Sequence, residues 1–228
     1  MIARLVEFRD IGDEIRHFVF DAEADDFRFT PGQFVSLSDV VGDRKVTRAY
    51  SIASAPAGRR FELCLNRVKD GRMSPRLFEL GPGDTIEMGA PLGYFTPRTP
   101  ASDSVLVATG TGVAPFRSML RARPAEWAER RFTLIFGVRY ERNLLYREEF
   151  EAMAAERPNF RFWPVLSRPE EGWTGRSGHV QAHLDEAIGG RLDMDVYVCG
   201  LKLMVDDVRA RLKERGFDRK RVIYEKYD

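Results

Sequence analysis

The sequence predicts two domains in series: an antiparallel β-barrel over residues 1–98, then an α/β domain with a doubly wound parallel sheet over residues 99–228. Three observations predict this. Up to about Phe95 the chain runs in short alternating apolar stretches, one every ten to fifteen residues, separated by turns and without repeated helices. Pro97-Arg98-Thr99-Pro100-Ala101-Ser102, with two prolines and small polar residues, reads as a linker. Beyond it, continuous apolar strands alternate with helices, as in a parallel sheet covered on both faces.

In the first domain, residues 14–20 alternate clearly, and Thr30-Pro31-Gly32 turns the chain into a strand over 33–37. Residues 48–54 form the next strand, followed by 61–66 and 84–88. One helix interrupts them, with Ser74 as its cap, Pro75 in the first helical position and Gly81-Pro82-Gly83 as its end. The second domain opens with the apolar strand 105–108, the turn Gly110-Thr111-Gly112-Val113-Ala114-Pro115 and a helix from Phe116 to about Arg121. Strands over 132–138, 160–166, 196–199 and 222–224 then alternate with helices around 145–155, 180–188 and 204–215.

Composition narrows the function. The 228 residues are 43% hydrophobic, enough for two modest cores. Basic and acidic residues nearly cancel, 36 against 35, which gives no support to nucleic-acid binding by bulk charge. Only six of the 36 basic residues are Lys, so the chain is rich in the guanidinium forks that suit phosphate. The two cysteines, Cys64 and Cys199, lie far apart in apolar runs and cannot build a disulfide framework or an iron–sulfur cluster. The N-terminus lacks a signal peptide's apolar core, and no run approaches the about 18 apolar residues of a membrane span. A soluble, cytoplasmic monomer is expected.

Residues 48–51 concentrate chemistry. Arg48 can grip a phosphate with two parallel hydrogen bonds, Tyr50 offers a ring for stacking on a heterocycle, and Ser51 both donates and accepts. Arg48 and Tyr50, two apart, share one face of a strand across Ala49. An amphipathic strand with an Arg on its wet side would read the same way. Downstream, Gly71-Arg72-Met73-Ser74 brings a hydroxyl and unpaired N–H groups to a helix start, an anion site of the kind any capped helix offers.

Strand ends carry the second cluster, since a doubly wound sheet binds ligands there. The Gly110-Thr111-Gly112 turn permits close backbone approach, but Pro115 stands where the common dinucleotide fingerprint has its third Gly. Arg139 follows the second strand, Arg168 the third, and Arg176 lies in the loop beyond; together they suit a phosphate monoester such as the 2′-phosphate of NADP, although three unrelated surface arginines of an Arg-rich chain would read the same way. His179 and His183 are four apart on an expected helix, but the segment lacks a third ligand, so no metal site is expected. Cys199 has no neighbouring His to activate it as a nucleophile.

Arg-x-Tyr-Ser, Gly-x-x-Ser, Gly-Thr-Gly-x-Ala-Pro and Cys-Gly-Leu-Lys, in that order, resemble the ferredoxin–NADP reductase family of bacterial type over essentially the whole chain. The resemblance implies an FAD-binding barrel and an NADP-binding α/β domain. It implies that Arg48 and Ser74, with Arg72 and Met73 beside them, hold the FAD pyrophosphate. Tyr50 would stack on the isoalloxazine, Ser51 would lie near flavin N5, and Cys64, Leu65 and Asn66 would line the FAD. Thr111 and Gly112 would approach the cofactors, while Cys199 and Gly200 would pack beside the nicotinamide. Arg139, Ser167, Arg168 and Arg176 would read the 2′-phosphate. Glu225 would join the hydrogen-bond network near N5 and Tyr227 would cover the flavin, with one further residue, Asp228, bearing on how closely it stacks. The implied activity is hydride transfer between NADPH and flavin N5, with Ser51, Cys199 and Glu225 at the reaction, and single electrons passed to a separate ferredoxin or flavodoxin. A reductase component or electron-transfer subunit of a larger complex, such as an oxygenase system, is the alternative. Arg59, Arg60, Arg72 and Arg76 could form a basic rim for an acidic carrier, or simply a solvated face.

Overall fold

The computed structural model describes residues 1–122 and 127–227; Asp228 lies outside the described residues. The chain divides into two compact units, one of residues 1–97 and 114–122, the other of residues 98–113 and 123–228.

The first unit holds six strands: β1 (Ile2–Gly12), β2 (Ile15–Ala22), β3 (Phe34–Val41), β4 (Arg44–Ser51), β5 (Arg60–Asn66) and β6 (Thr85–Met88). They order as β4-β3-β6-β1-β2-β5, all antiparallel. A bridge between Ile52 and Leu63, with Ala53 N–H donating to the Glu62 carbonyl at 2.8 Å, joins the two outer strands and closes the barrel. Closure removes the unpaired edges that an open sheet would present. Alternation along β3 sends Val35 and Leu37 inward, where they meet Phe18, Phe20, Phe61 and Ile52 in one apolar core. Phe20 stacks on Phe61 with ring centroids 5.6 Å apart, an arrangement that adds to simple area burial.

Two helices complete the unit. The short α1 (Met73–Phe78) buries Met73 and Leu77. The second, α2 (Ala114–Ala122), follows the sixth barrel strand by 25 residues, yet it packs with the barrel. Its Phe116 meets Phe95 edge to face at 5.5 Å. Ser118 Oγ donates to the Ser54 carbonyl at 2.6 Å. Gly32, at φ +95°, permits the close approach: a Cβ there would lie 2.0 Å from the Phe95 carbonyl oxygen and 2.5 Å from Met119 Cε.

The second unit is a parallel sheet of β7 (Ser104–Thr109), β8 (Phe132–Val138), β9 (Phe160–Leu166), β10 (Arg176–Ser177), β11 (Asp195–Leu201) and β12 (Val222–Tyr227). Its order is β10-β9-β8-β7-β11-β12. The chain thus winds outward from β7 to β10, then returns to the other side of β7. Helices α3 (Arg147–Glu156), α4 (Leu184–Ile188) and α5 (Lys202–Glu214) supply crossovers. β7 and β11 are buried almost throughout, as strands covered on both faces must be. Around 180–188 the expected single helix is a 3₁₀ turn (Val180–His183) leading into α4. His179 precedes that turn, so the two histidines do not share an α-helical face. No helix among the described residues is long and apolar enough to cross a membrane.

Candidate cofactor sites in the two units

On β4, Arg48 stands opposite Leu37 and Tyr50 opposite Val35. Tyr50 is half-buried with its ring against the barrel core. Burial pushes its hydroxyl up to about 12, against the opposing charge of Arg48, so the phenol stays protonated at neutral pH. Arg48 is exposed, donates from Nη1 to the Thr47 carbonyl at 2.8 Å, and has no acidic partner among the described residues. Ala49 is exposed and Ser51 buried. At the end of β5, Cys64 and Leu65 are buried and Asn66 exposed. A cation without an acid beside an anchored ring fits a cofactor that joins phosphate to a flat heterocycle.

The helix start differs from expectation. Arg72, not Ser74, occupies the cap position, without a side-chain capping bond, and α1 ends at Phe78. Ser74 is the second helical residue and Pro75 the third. The Ser74 hydroxyl accepts from Val68 N–H at 2.9 Å. Val68 also accepts from Gly71 N–H at 2.9 Å, so the tight 68–71 turn competes successfully for the hydroxyl. Ser74 therefore ties a loop to the helix; its own proton remains available for an acceptor. In the rim, Arg76 pairs with Asp39 at 2.9 Å, Arg59 with Asp25 and Arg60 with Asp21, both at 3.3 Å. These pairs are the features of a solvated face.

In the second unit, β7 and β11 are neighbours at the point where strand order reverses, the position at which open α/β sheets form a crevice. Gly112, in the 3₁₀ turn Gly110–Val113 that holds the half-buried Thr111, lies against β11. A Cβ on it would lie 2.4 Å from the Cys199 carbonyl oxygen. A Cβ on Gly200 (φ +150°) would lie 2.3 Å from Thr109 Oγ1. That Thr109 hydroxyl is buried and has no hydrogen-bond partner among the described residues. Bare backbone with an unused donor fits a flat ring bearing an amide.

Cys199 is fully buried between Ala108 on β7 and Glu225 on β12. Burial, reinforced by the Glu225 carboxylate and opposed by a hydrogen bond with Tyr227, pushes its thiol well up. It stays a neutral thiol and is no nucleophile. Cys199, Glu225 and Tyr227 are thus one cluster.

The arginines gather at the other side of the sheet. Arg168 N–H donates to the Arg139 carbonyl at 2.9 Å, and Ser167 N–H to the Val138 carbonyl at 2.9 Å, so the ends of β8 and β9 run side by side. Both guanidiniums are exposed without an acidic partner among the described residues. Arg176 pairs with Val165 in β10 and differs from them. Its guanidinium lies 3.8 Å from the Trp163 ring centroid, and both its terminal nitrogens bond Glu186, at 2.6 and 2.7 Å. Among the described residues no group of three or more His, Cys, Asp or Glu could hold a metal ion.

Sequence reasoning missed Thr109, Glu186, Trp163 and a buried network in the first unit. There Arg117 on α2 donates to Glu62 and to the Ala53 carbonyl, next to His17. An Arg within the apolar stretch Ala114-Pro115-Phe116-Arg117 was the available signal.

A closed barrel carrying the Arg-x-Tyr-Ser strand, and a reversing parallel sheet with glycine-bared strand ends, define a two-domain flavin and nicotinamide nucleotide oxidoreductase. Known proteins agree. An oxidoreductase FAD-binding domain family matches residues 2–96, and an oxidoreductase NAD-binding domain family matches residues 106–210. The chain is 42% identical to Ferredoxin--NADP reductase B of Sorangium cellulosum, covering 99% of this chain and 97% of that protein. It is 30% identical to the toluate 1,2-dioxygenase electron transfer component of Pseudomonas putida, over 90% of this chain but 61% of that longer one. The crystal structure of a ferredoxin NADP⁺ reductase from Neisseria gonorrhoeae with bound FAD and NADP superposes with a TM-score of 0.87 at 25% identity, covering 99% of this chain and 98% of that one. The chain belongs to the ferredoxin–NADP reductase family. It is a flavin-dependent oxidoreductase with FAD and NADP(H) as cofactors, transferring electrons from NADPH.

Proposed function

We propose that this protein is a ferredoxin or flavodoxin–NADP⁺ reductase, with residues 1–98 as its FAD-binding domain and 99–228 as its NADP-binding domain. Bound NADPH and FAD would supply hydride chemistry and its conversion to single-electron transfer to the carrier. The chain's own residues bind, orient and hold protons. Arg48 and the Arg72–Ser74 segment hold the pyrophosphate, Tyr50 supports the flavin ring on its protonated phenol, and Ser51 offers a hydrogen bond near N5. Cys64, Leu65 and Asn66 line the flavin. Thr111, Gly112 and Gly200 leave room for the nicotinamide beside the neutral thiol of Cys199. Glu225 holds protons near that thiol, and Tyr227 shields the flavin face. Arg139, Ser167, Arg168 and Arg176 read the 2′-phosphate. The acceptor is a separate chain, the enzyme acts as a monomer, and the reading puts it in the cytoplasm.

The observation that carries the NADPH reading is the adjacency of Arg139 and Arg168, two exposed cations without acids at neighbouring strand ends. Arg168→Ala and Arg176→Ala should each lower the ratio of NADPH to NADH efficiency, Arg168→Ala by about tenfold or more, the scale of a charge-assisted phosphate contact. Ratios that stay at the wild-type value would remove these residues from the phosphate site. Similarity to a dioxygenase electron transfer component favours a second reading, service to an oxygenase. Reduction of ferredoxins and flavodoxins from the same source, scored against an oxygenase's own ferredoxin-type partner, separates the two.

A further inference from the structure

We propose that Glu186 is a specificity-determining residue that competes with the 2′-phosphate of NADP(H) for Arg176 and so sets the strictness of NADPH over NADH. This rests on the reading that Arg176 meets that phosphate.

Arg176 is already engaged. Nη1 donates to Glu186 Oε2 at 2.6 Å and Nη2 to Oε1 at 2.7 Å, so the end of the guanidinium fork is filled by a carboxylate. Nη1 also faces His183 Nδ1 at 3.4 Å, while His183 Nε2 lies 3.0 Å from the Ser177 carbonyl. That carbonyl can only accept, so Nε2 carries the imidazole proton and Nδ1 is left to accept. What remains of Arg176 is its side edge, Nε with the second proton of Nη2. A phosphate arriving there would meet a cation whose charge Glu186 largely cancels. It would also stand close to a carboxylate of its own sign. Arg139 and Arg168 have no such competitor among the described residues.

A carboxylate so placed could instead serve to position Arg176. Three other supports argue against that role. The Trp163 ring carries the guanidinium from below at 3.8 Å, a contact that favours a cation. Trp173 Nε1 donates to the Arg176 carbonyl at 3.0 Å and fixes the backbone. The Trp173 ring folds over Gly175 so closely that a Cβ there would lie 2.3 Å from it, which locks the approach to Arg176. With Glu186 removed, these supports hold Arg176 in place with its charge unopposed. Glu186 is itself exposed, and the Arg176 hydrogen bond holds its carboxyl below the ordinary range, so it competes as an anion throughout the physiological range.

The test uses the FAD-loaded full-length protein, with Glu186→Gln as the variant and calorimetric titration of adenosine 2′-phosphate and of adenosine as the probes. Glu186→Gln should bind adenosine 2′-phosphate about three- to tenfold more tightly, the scale of one exposed charge facing a dianion, and adenosine unchanged. Its binding should also weaken more steeply with added salt, since one opposing charge has gone. Adenosine 2′-phosphate bound equally or more weakly by the variant would overturn the proposal. Arg176→Ala separates the two layers. If, added to Glu186→Gln, it leaves adenosine 2′-phosphate affinity unchanged, Arg176 is not at the phosphate and the underlying reading fails with the proposal. If it weakens binding while Glu186→Gln does not strengthen it, only the competition fails.

Discussion

Arg117 Nη1 donates to Glu62 Oε2 at 2.5 Å, and the arginine is 2% exposed. The same nitrogen donates to the Ala53 carbonyl at 2.9 Å, two residues past the end of β4. This joins α2 to the strand end that follows Tyr50 and Ser51. Arg117→Met would leave the Glu62 carboxylate and the Ala53 carbonyl without their buried donor. The loss should be about 3–5 kcal/mol, as for breaking one side of a buried pair. Adding Glu62→Gln should recover part of it, since the double variant no longer buries an uncompensated charge. Urea unfolding measures both; a loss under about 1 kcal/mol for Arg117→Met would show the pair to be marginal.

His17 makes the fold sensitive to mild acid. It is 4% exposed and 3.7 Å from Glu62. Burial lowers it from 6.5 to about 4, against the Glu62 carboxylate and with the help of Arg117, Arg9 and Arg121. A histidine depressed in the fold takes its proton first in the unfolded chain, so stability falls as pH drops from about 6.5 to about 4. A shift of that size corresponds to about 3 kcal/mol. Burial alone would raise Glu62, but the Arg117 hydrogen bond and charge, with His17 and Arg121, hold it below the usual carboxylate range. Its contribution is present above about 4.5 and is lost as pH falls through its lower folded value, extending the decline to more acidic pH. His17→Gln should flatten the 4–6.5 segment of the curve and leave the more acidic one. An unchanged slope would assign the acid sensitivity elsewhere.

Both sheets were legible because their periods differ. Alternation in β3 and continuous apolarity in β7 and β11 follow directly from one-sided and two-sided burial. The Arg48–Ser51 strand and the arginines after β8 and β9 could be placed because each lies at a strand end whose position the pattern determines. What escaped has no local signature. Glu62 and Arg117 are 55 positions apart, and nothing in either neighbourhood marks the other. Arg176 and Glu186 are ten apart across a break between a 3₁₀ turn and a short helix, where helical spacing gives no guidance. Ser74 was misread because Ser-Pro suits a cap on propensity alone, while the Val68–Gly71 turn, a tertiary competitor for its hydroxyl, lies upstream.

Thr109 carries a buried hydroxyl with no partner among the described residues. Thr109→Val keeps the shape and removes the unpaired group, so the protein without nicotinamide nucleotide should gain up to about 1 kcal/mol. Affinity for NADP⁺ should fall if the hydroxyl serves the nicotinamide amide. Thermal unfolding with and without NADP⁺ reads both, and a destabilised unliganded variant would show the hydroxyl to be satisfied.

Cys199 should be chemically silent in the native protein. Its thiol is buried and pushed well above the ordinary range, and the thiolate is the reactive form. Iodoacetamide at pH 8 should leave Cys199 unmodified by mass spectrometry until denaturant is added. Cys64, also buried, should behave alike. Rapid alkylation of Cys199 in the folded protein would contradict its placement.

Gly112 should tolerate no side chain. A Cβ there would meet the Cys199 carbonyl oxygen at 2.4 Å, and the Cys199 carbonyl carbon and Gly200 Cα at 2.8 Å. All three are backbone atoms, so no rotamer change relieves the clash and β11 itself would have to move. Gly112→Ala should cost about 1–3 kcal/mol as overpacking. If the nicotinamide lies there as proposed, displacing Gly200 in this way should also weaken NADP⁺ binding. Gly81→Ala is the control: its nearest neighbour would be Asp84 Oδ2 at 3.8 Å, an ordinary contact. It should stay within about 0.5 kcal/mol of wild type. Equal stability of the two variants would mean that the turn after β7 is looser than its contact with β11 implies, and the close approach at the sheet's reversal point would lose its role in shaping the site.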